Sequence, residues 1–356
     1  MQLGERRWSA AEVEKRIGRW QQIAGARAAR LMDGTAAGVR VIDLYTERLR
    51  LTVYPDRGMD LGPLHWRGLP LTWESPTGPV HPALVDPVGT GWGRGFHGGL
   101  AATCGLENVG PACEDEGRRF GQHGTLSYTP ASAVRWRERP VAGGIRAEAV
   151  GEVLTPDGLR FTREVWVETG KPSVWLRDRV QNPGPRPVPW MIQYHMNFGF
   201  PLVSEGAELL IPPGAPVPRD EQAVPGLANW NQVEEPQEGY REQVFRHQQK
   251  PDRRGFARCA LVNEGMELGV VLRYPVQELP YLWQWRVFAP NRYVVALEPS
   301  NCAVKPRARA RAEGLLPLVQ PGETVTMQLE LTVVEGREQL RRLRATLASN
   351  ETASPI

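Results

Sequence analysis

In the stretch Trp190-Met-Ile-Gln-Tyr-His195-Met-Asn-Phe-Gly-Phe-Pro201, one histidine and one asparagine are set among bulky apolar and aromatic residues. Such a run predicts a buried strand that carries polar atoms to the end of a sheet, and a polar group buried there must be satisfied or used. The histidine is one of six in the chain, and imidazole is the side chain best suited to exchanging a proton near neutral pH. A second candidate is Glu298, which the largely apolar run from Tyr293 to Leu297 delivers at a strand end, with Pro299 stopping the strand. Desolvation there raises a carboxyl pKa and makes it a usable general base. An ion pair with Arg286 or Arg292 is the competing structural role. Together with His195, an acid and a base on opposite sides of a polar cavity fit proton exchange on a sugar hemiacetal.

The elements that must position these groups are mostly strands. Ser9-Ala-Ala-Glu12 is a capping box that starts a short helix ending near Gly18. From residue 22 onward the spacing predicts strands over Gln22–Leu31, Gly38–Tyr45 and Leu49–Tyr54. Alternation returns in 144–150, 159–167 and 173–180, with Asp157-Gly158 as a hairpin signal between the first two. Residues 204–255 read as loop, followed by strands at Ala257–Asn263, Leu268–Tyr274, 280–288 and 325–334 and a helical tail over about 336–348. The expectation is one all-β domain spanning 1–356 with small helical additions at both ends.

Between Pro55 and Pro130 the chain is dense in glycine and proline, and His65, His81, His97 and His123 lie in or beside this region. Loops of this composition on a rigid scaffold are where binding groups usually sit. His65 and His81 read as surface or turn residues, whereas a following glycine leaves room for a ligand at His97 and His123.

Composition excludes several classes. Lys+Arg of 43 against Asp+Glu of 40 leaves +3, with the charges interspersed, so neither a nucleic-acid surface nor a polybasic membrane surface is implied. Four cysteines without C-x-x-C spacing make neither a disulfide framework nor a zinc site. No apolar run of about twenty residues exists, and the N-terminus lacks a basic segment followed by an apolar one. The expectation is a soluble cytoplasmic protein, monomer or homodimer, without a metal.

His123-Gly124, Tyr194-His195-Met-Asn-Phe198 and Val295-Ala-Leu-Glu298-Pro299, in this order, resemble the aldose 1-epimerases, the galactose mutarotase-like proteins. Asp56-Arg-Gly-Met-Asp60, Ser75-Pro-Thr-Gly-Pro79, the run from Gly98 to Gly110 and Glu298-Pro-Ser-Asn-Cys302 look still more like a branch of that superfamily described only as a domain of unknown function. This second resemblance spans roughly residues 20 to 335. It implies a single large β-supersandwich with a sugar in an open groove on one sheet and no cofactor. It also implies His195 as general acid toward the ring oxygen, Glu298 as general base toward the anomeric hydroxyl, and His123 as a group that binds the sugar. No local motif marks the arginine and aspartate with which the characterised mutarotases grip hydroxyls. Arg94, Arg57, Glu107 and Asn108 are the candidates on the glycine-rich side, and Gln284 with Trp283 and Trp285 on the other, since aromatic faces stack on pyranoses while amides and guanidinium groups bind hydroxyls. Alternation sends 283 and 285 to one face and Gln284 to the other. Two alternatives remain: a non-catalytic carbohydrate-binding protein, and a metal-dependent sugar isomerase using His97, His123, His195 and Glu298 as ligands.

Overall fold

A computed structural model describes residues 1–4, 6–212 and 214–349. Three antiparallel sheets dominate it. The strands of the eight-stranded sheet alternate as the sequence does: in 160–168 and 173–181, residues such as Phe161, Val165, Leu176 and Val180 turn inward while their neighbours face out. Asp157-Gly158 sits in the turn of the predicted hairpin, with Leu154 paired to Arg160. A five-stranded sheet holds Gly25–Arg30, Arg40–Tyr45, Leu49–Tyr54, Asp60–Trp66 and Leu69–Pro70 in chain order.

The six-stranded sheet carries His195 and Glu298. In chain order its strands are β1 (Ala102–Leu106), β2 (Met191–Gly199), β3 (Val217–Pro218), β4 (Gln243–His247), β5 (Tyr281–Ala289) and β6 (Arg292–Ser300), and its spatial order is β3-β4-β5-β6-β2-β1. Every residue of β2 is buried, because both faces are covered. Tyr194, Met196 and Phe198 point into the apolar core shared with the other two sheets, and one contiguous cluster draws on all three. Gln193, His195 and Asn197 point the other way by the period of two.

Three expectations are corrected here. The 204–255 segment is not all loop, for it contributes the strand Ala207–Leu210, a 3-10 helix over Glu221–Asn229, and β3 and β4. Glu298 does not sit at a strand end, because β6 continues through Pro299 to Ser300. The N-terminal helix is shorter than 9–18, covering Ala10–Glu14 behind the Ser9 capping box; the C-terminal helix runs over Arg337–Ser349. No helix among the described residues is long and apolar enough to cross a membrane.

Candidate active site

The register of β2 against β6 pairs Gln193 with Ser300 and Met196 with Leu297, which sets His195 across from Glu298. The ladder of pairs is interrupted between those two positions. Pro299 has no N–H to contribute to it, so the strands are least tightly joined where the two ionisable side chains meet. On the far side of β6, Trp283 of β5 pairs with Glu298 and Trp285 with Ala296. Cross-strand partners share a face, so His195, Glu298 and both tryptophans lie together on the face turned away from the core.

His195 Nε2 is 3.0 Å from Glu298 Oε1. Glu298 Oε1 is buried and has no formed hydrogen bond to any other group of the protein. The other atoms of both groups are engaged. His195 Nδ1 is 2.6 Å from Asn197 Oδ1, and Gln193 Nε2 donates to Glu298 Oε2 at 2.5 Å. Asn197 Nδ2 donates to the carbonyls of Gly99 at 3.1 Å and His195 at 2.7 Å. Gly99 has φ +70°, and a Cβ there would lie 2.6 Å from the Leu61 carbonyl, so only glycine brings this carbonyl to Asn197.

Aromatic rings surround the imidazole. Phe96 and Trp285 approach edge-on with centroids at 4.9 and 5.2 Å, while Trp92 and His123 stand at 6.4 and 6.5 Å. This apolar enclosure sets the protonation states. Burial pushes the Glu298 carboxyl up to about 8, with Arg219 opposing and Glu242 reinforcing the shift. Burial takes His195 down to about 4, against the pull of its hydrogen bond to Asn197. His123 falls to about 3 through burial and then the nearby positive charge of His195 and Arg219.

The structure brings some of the sequence candidates to the pair and not others. His195 and Glu298 are in contact rather than facing each other across a cavity, because they occupy neighbouring strands in register. His123 joins them, its ring 4.7 Å from Trp92. Its backbone is left-handed at φ 56°, a conformation that costs a non-glycine residue about 1 kcal/mol. The next residue, Gly124, has no room for a Cβ, which would lie 2.5 Å from the Gly105 carbonyl.

Glu107 and Asn108 serve that turn instead of lining the site. Glu107 accepts from the amide and hydroxyl of Thr125, and Asn108 donates to the carbonyls of Gly121 and Pro111. Arg57 is wholly buried; it donates to the Val80 and Gly95 carbonyls and lies over the Tyr128 ring, bracing the Gly91–Gly95 turn from beneath. Arg94 is exposed on that same turn. Trp283 packs in the outer aromatic cluster with Trp285. Gln284 is on the opposite face, bonded to His247 and to the Trp230 carbonyl, so the expectation that it stands beside His195 and Glu298 is corrected. Arg286, considered as a partner for Glu298, instead bonds Gln243 and the carbonyls of Gly226 and Asn229.

Sequence reasoning missed the rim. Arg219, beyond β3, donates to Asp220 at 2.8 Å and Glu242 at 3.2 Å, and Glu242 accepts from the Trp285 indole at 3.0 Å. Both charges sit in the segment read as loop, where no local pattern marked them. The period of two along β2, by contrast, could have placed Gln193 and Asn197 beside His195. His97 is engaged on the core side, 3.3 Å from Asp60. Among the described residues, no group of three or more His, Cys, Asp or Glu side chains could hold a metal.

A family profile described as "Domain of unknown function (DUF4432)" matches residues 36–333. No curated protein matches the chain. Among solved structures, a Klebsiella pneumoniae protein provisionally assigned as an aldose 1-epimerase is 25% identical, with a TM-score of 0.85 over 96% of this chain and 94% of that one. A galactose mutarotase-like protein of Clostridium acetobutylicum is 11% identical, with a TM-score of 0.63 over 88% and 99%. The galactose 1-epimerase of Lactobacillus acidophilus is 11% identical, with a TM-score of 0.55 over 88% and 100%. These last two likenesses concern the fold, which is the galactose mutarotase-like β-sandwich.

Proposed function

The chain belongs to the DUF4432 family, and from that premise we propose that it is an aldose 1-epimerase-like isomerase, interconverting the anomers of an aldose through ring opening. The observation that carries this reading is the contact of His195 Nε2 with Glu298 Oε1 at 3.0 Å, the buried carboxyl oxygen having no formed hydrogen bond to the protein. A hemiacetal opens when one group gives a proton to the ring oxygen while another takes the proton of the anomeric hydroxyl. A pair holding one proton between them does both, and the proton inventory is unchanged at the end. With protonated His195 as acid and ionised Glu298 as base, opening leaves neutral imidazole and a carboxylic acid. Rotation of the aldehyde about the C1–C2 bond, then closure with the two transfers reversed, delivers the other anomer. His123 and the aromatic rings of Trp92, Phe96 and Trp285 supply polar and stacking contacts for a pyranose. No cofactor takes part in these transfers.

The test is anomer exchange measured by NMR across a panel of aldoses. Replacing His195 by Ala or Glu298 by Gln is expected to slow exchange by about 10²–10⁴-fold each. The wild-type rate should form a plateau bounded by limbs near the two shifted values, about 8 for Glu298 and about 4 for His195. Below the lower limb the pair gains a second proton and has no base; above the upper limb it loses its only proton and has no acid. Undiminished exchange in both variants would sink the catalytic reading and leave a carbohydrate-binding protein.

A further inference from the structure

The neighbours of the pair on β2 are themselves informative. Asn197 Nδ2 faces two carbonyl oxygens, those of Gly99 and His195. Both are acceptors only, so the amide can be oriented just one way and presents its oxygen to His195 Nδ1 at 2.6 Å. An amide oxygen cannot donate, so Nδ1 must carry a hydrogen. In the neutral ring that leaves Nε2 bare, and Nε2 is the atom next to Glu298 Oε1. On the carboxyl side, Gln193 Nε2 donates to Oε2 at 2.5 Å, and an N–H given to one carboxyl oxygen favours the proton on the other. Oε1 is left as the oxygen that gains or loses the proton.

We infer that Asn197 and Gln193 are positioning residues that confine the exchangeable proton to the Nε2 and Oε1 atoms, the first by holding the remaining imidazole nitrogen as N–H and the second by occupying the remaining carboxyl oxygen. The proton step is internal and balanced: Oε1–H and bare Nε2 become Oε1 anion and Nε2–H, with no other reactant. Both residues act through their partners and need not touch a substrate. Asn197 is fully buried, and its amide is saturated by the imidazole and the two carbonyls. The effect on turnover rests on the reading of His195 and Glu298 as acid and base; the assignment of the tautomer does not.

The experiment follows that division. The full chain labelled with 15N-histidine is examined by long-range proton–nitrogen correlation near neutral pH, with His195 assigned from the His195→Gln variant. The expected result is the Nδ1–H tautomer. An Nε2–H tautomer, or a mixture of the two, would overturn the inference, and this reading needs no variant of Asn197 to fold. In Asn197→Leu the preference for Nδ1–H should disappear and kcat should fall about 10²-fold, with KM changing by less than about threefold. Asn197→Asp keeps an acceptor, so it should keep the tautomer and move the acid limb of the rate profile to higher pH. A variant Asn197→Leu that folds and turns over like the wild type would also overturn it. If the Nδ1–H tautomer is found and no aldose on the panel shows accelerated exchange, the functional reading falls while the placement of the proton stands.

Discussion

Two ionic clusters lie on opposite faces of one strand, reached by consecutive residues of β2. Tyr194 points into the core and donates to Asp178 at 2.8 Å. The same carboxylate takes Arg163 in a two-pronged pair, Nε to Oδ1 at 2.9 Å and Nη2 to Oδ2 at 2.6 Å. Arg163 also donates to Thr103 Oγ1 and the Met59 carbonyl. Asp60 beside them accepts from the Thr103 amide and the Ser127 hydroxyl. His195, one residue on, points outward to Glu298, whose Oε1 is left without a formed hydrogen bond. Both clusters are buried, so burial does not separate them; the partners do. Burial alone would pull the Arg163 pKa down, but Asp178 more than offsets this and holds the guanidinium charged. Glu298 faces an imidazole that can itself become neutral, so the cheapest state of its carboxyl near neutral pH is the protonated one. A permanent cation makes a structural charge, whereas a titratable neighbour with a spare valence makes a movable proton.

This contrast can be tested from both sides. The largest effect on stability is expected from Asp178→Asn, which leaves the Arg163 guanidinium buried and unpaired. The loss should be about 3–5 kcal/mol in urea unfolding, with anomer exchange per folded molecule preserved; a loss near zero would erase the distinction between the clusters. Glu298→Gln should do the reverse, slowing exchange by about 10²–10⁴-fold while stabilising the fold at alkaline pH. In the folded protein burial raises the Glu298 pKa from its ordinary 4.5 to about 8, so the folded protein binds more protons between those values. The stability from this group is present at low pH and lost as pH rises through about 8. Glutamine does not titrate, so the difference in melting temperature between variant and wild type should widen from pH 5 to pH 9. A constant difference would show that Glu298 is not held protonated. The smallest effect belongs to the rim. Trp285→Phe removes the indole donor to Glu242 and keeps most of the ring, so stability in urea unfolding should fall by only about 1 kcal/mol, the size of one hydrogen bond.

Much of the strand architecture was readable from local pattern. Val325–Val334 was expected as a strand and Thr324–Glu335 forms one, because alternating Val, Met and Leu can bury a single face only when extended. Gln243–His247 was not found. It lies within a stretch rich in proline and charge, and it becomes a strand by pairing with β5 across residues 282–286, a partner that local spacing does not disclose. The two ends of the site differ in the same way. His195 stood out as an imidazole among aromatic residues, and Glu298 as a carboxylate after an apolar run. Gln284 stood out equally and proved to face the core with His247, since alternation fixes relative faces along β5 but not which face is inside.

By itself, then, the chain determined an all-β fold and the identity of its two conspicuous ionisable residues, because hydrophobic periodicity and the scarcity of buried polar groups are properties of local sequence. Only the tertiary structure decided that His195 and Glu298 touch, that Gln193 and Asn197 occupy their other atoms, and that Arg219 and Glu242 stand at the rim. Those facts depend on the register of strands far apart in the chain. A slip of one residue between β2 and β6 would have turned either group to the opposite face.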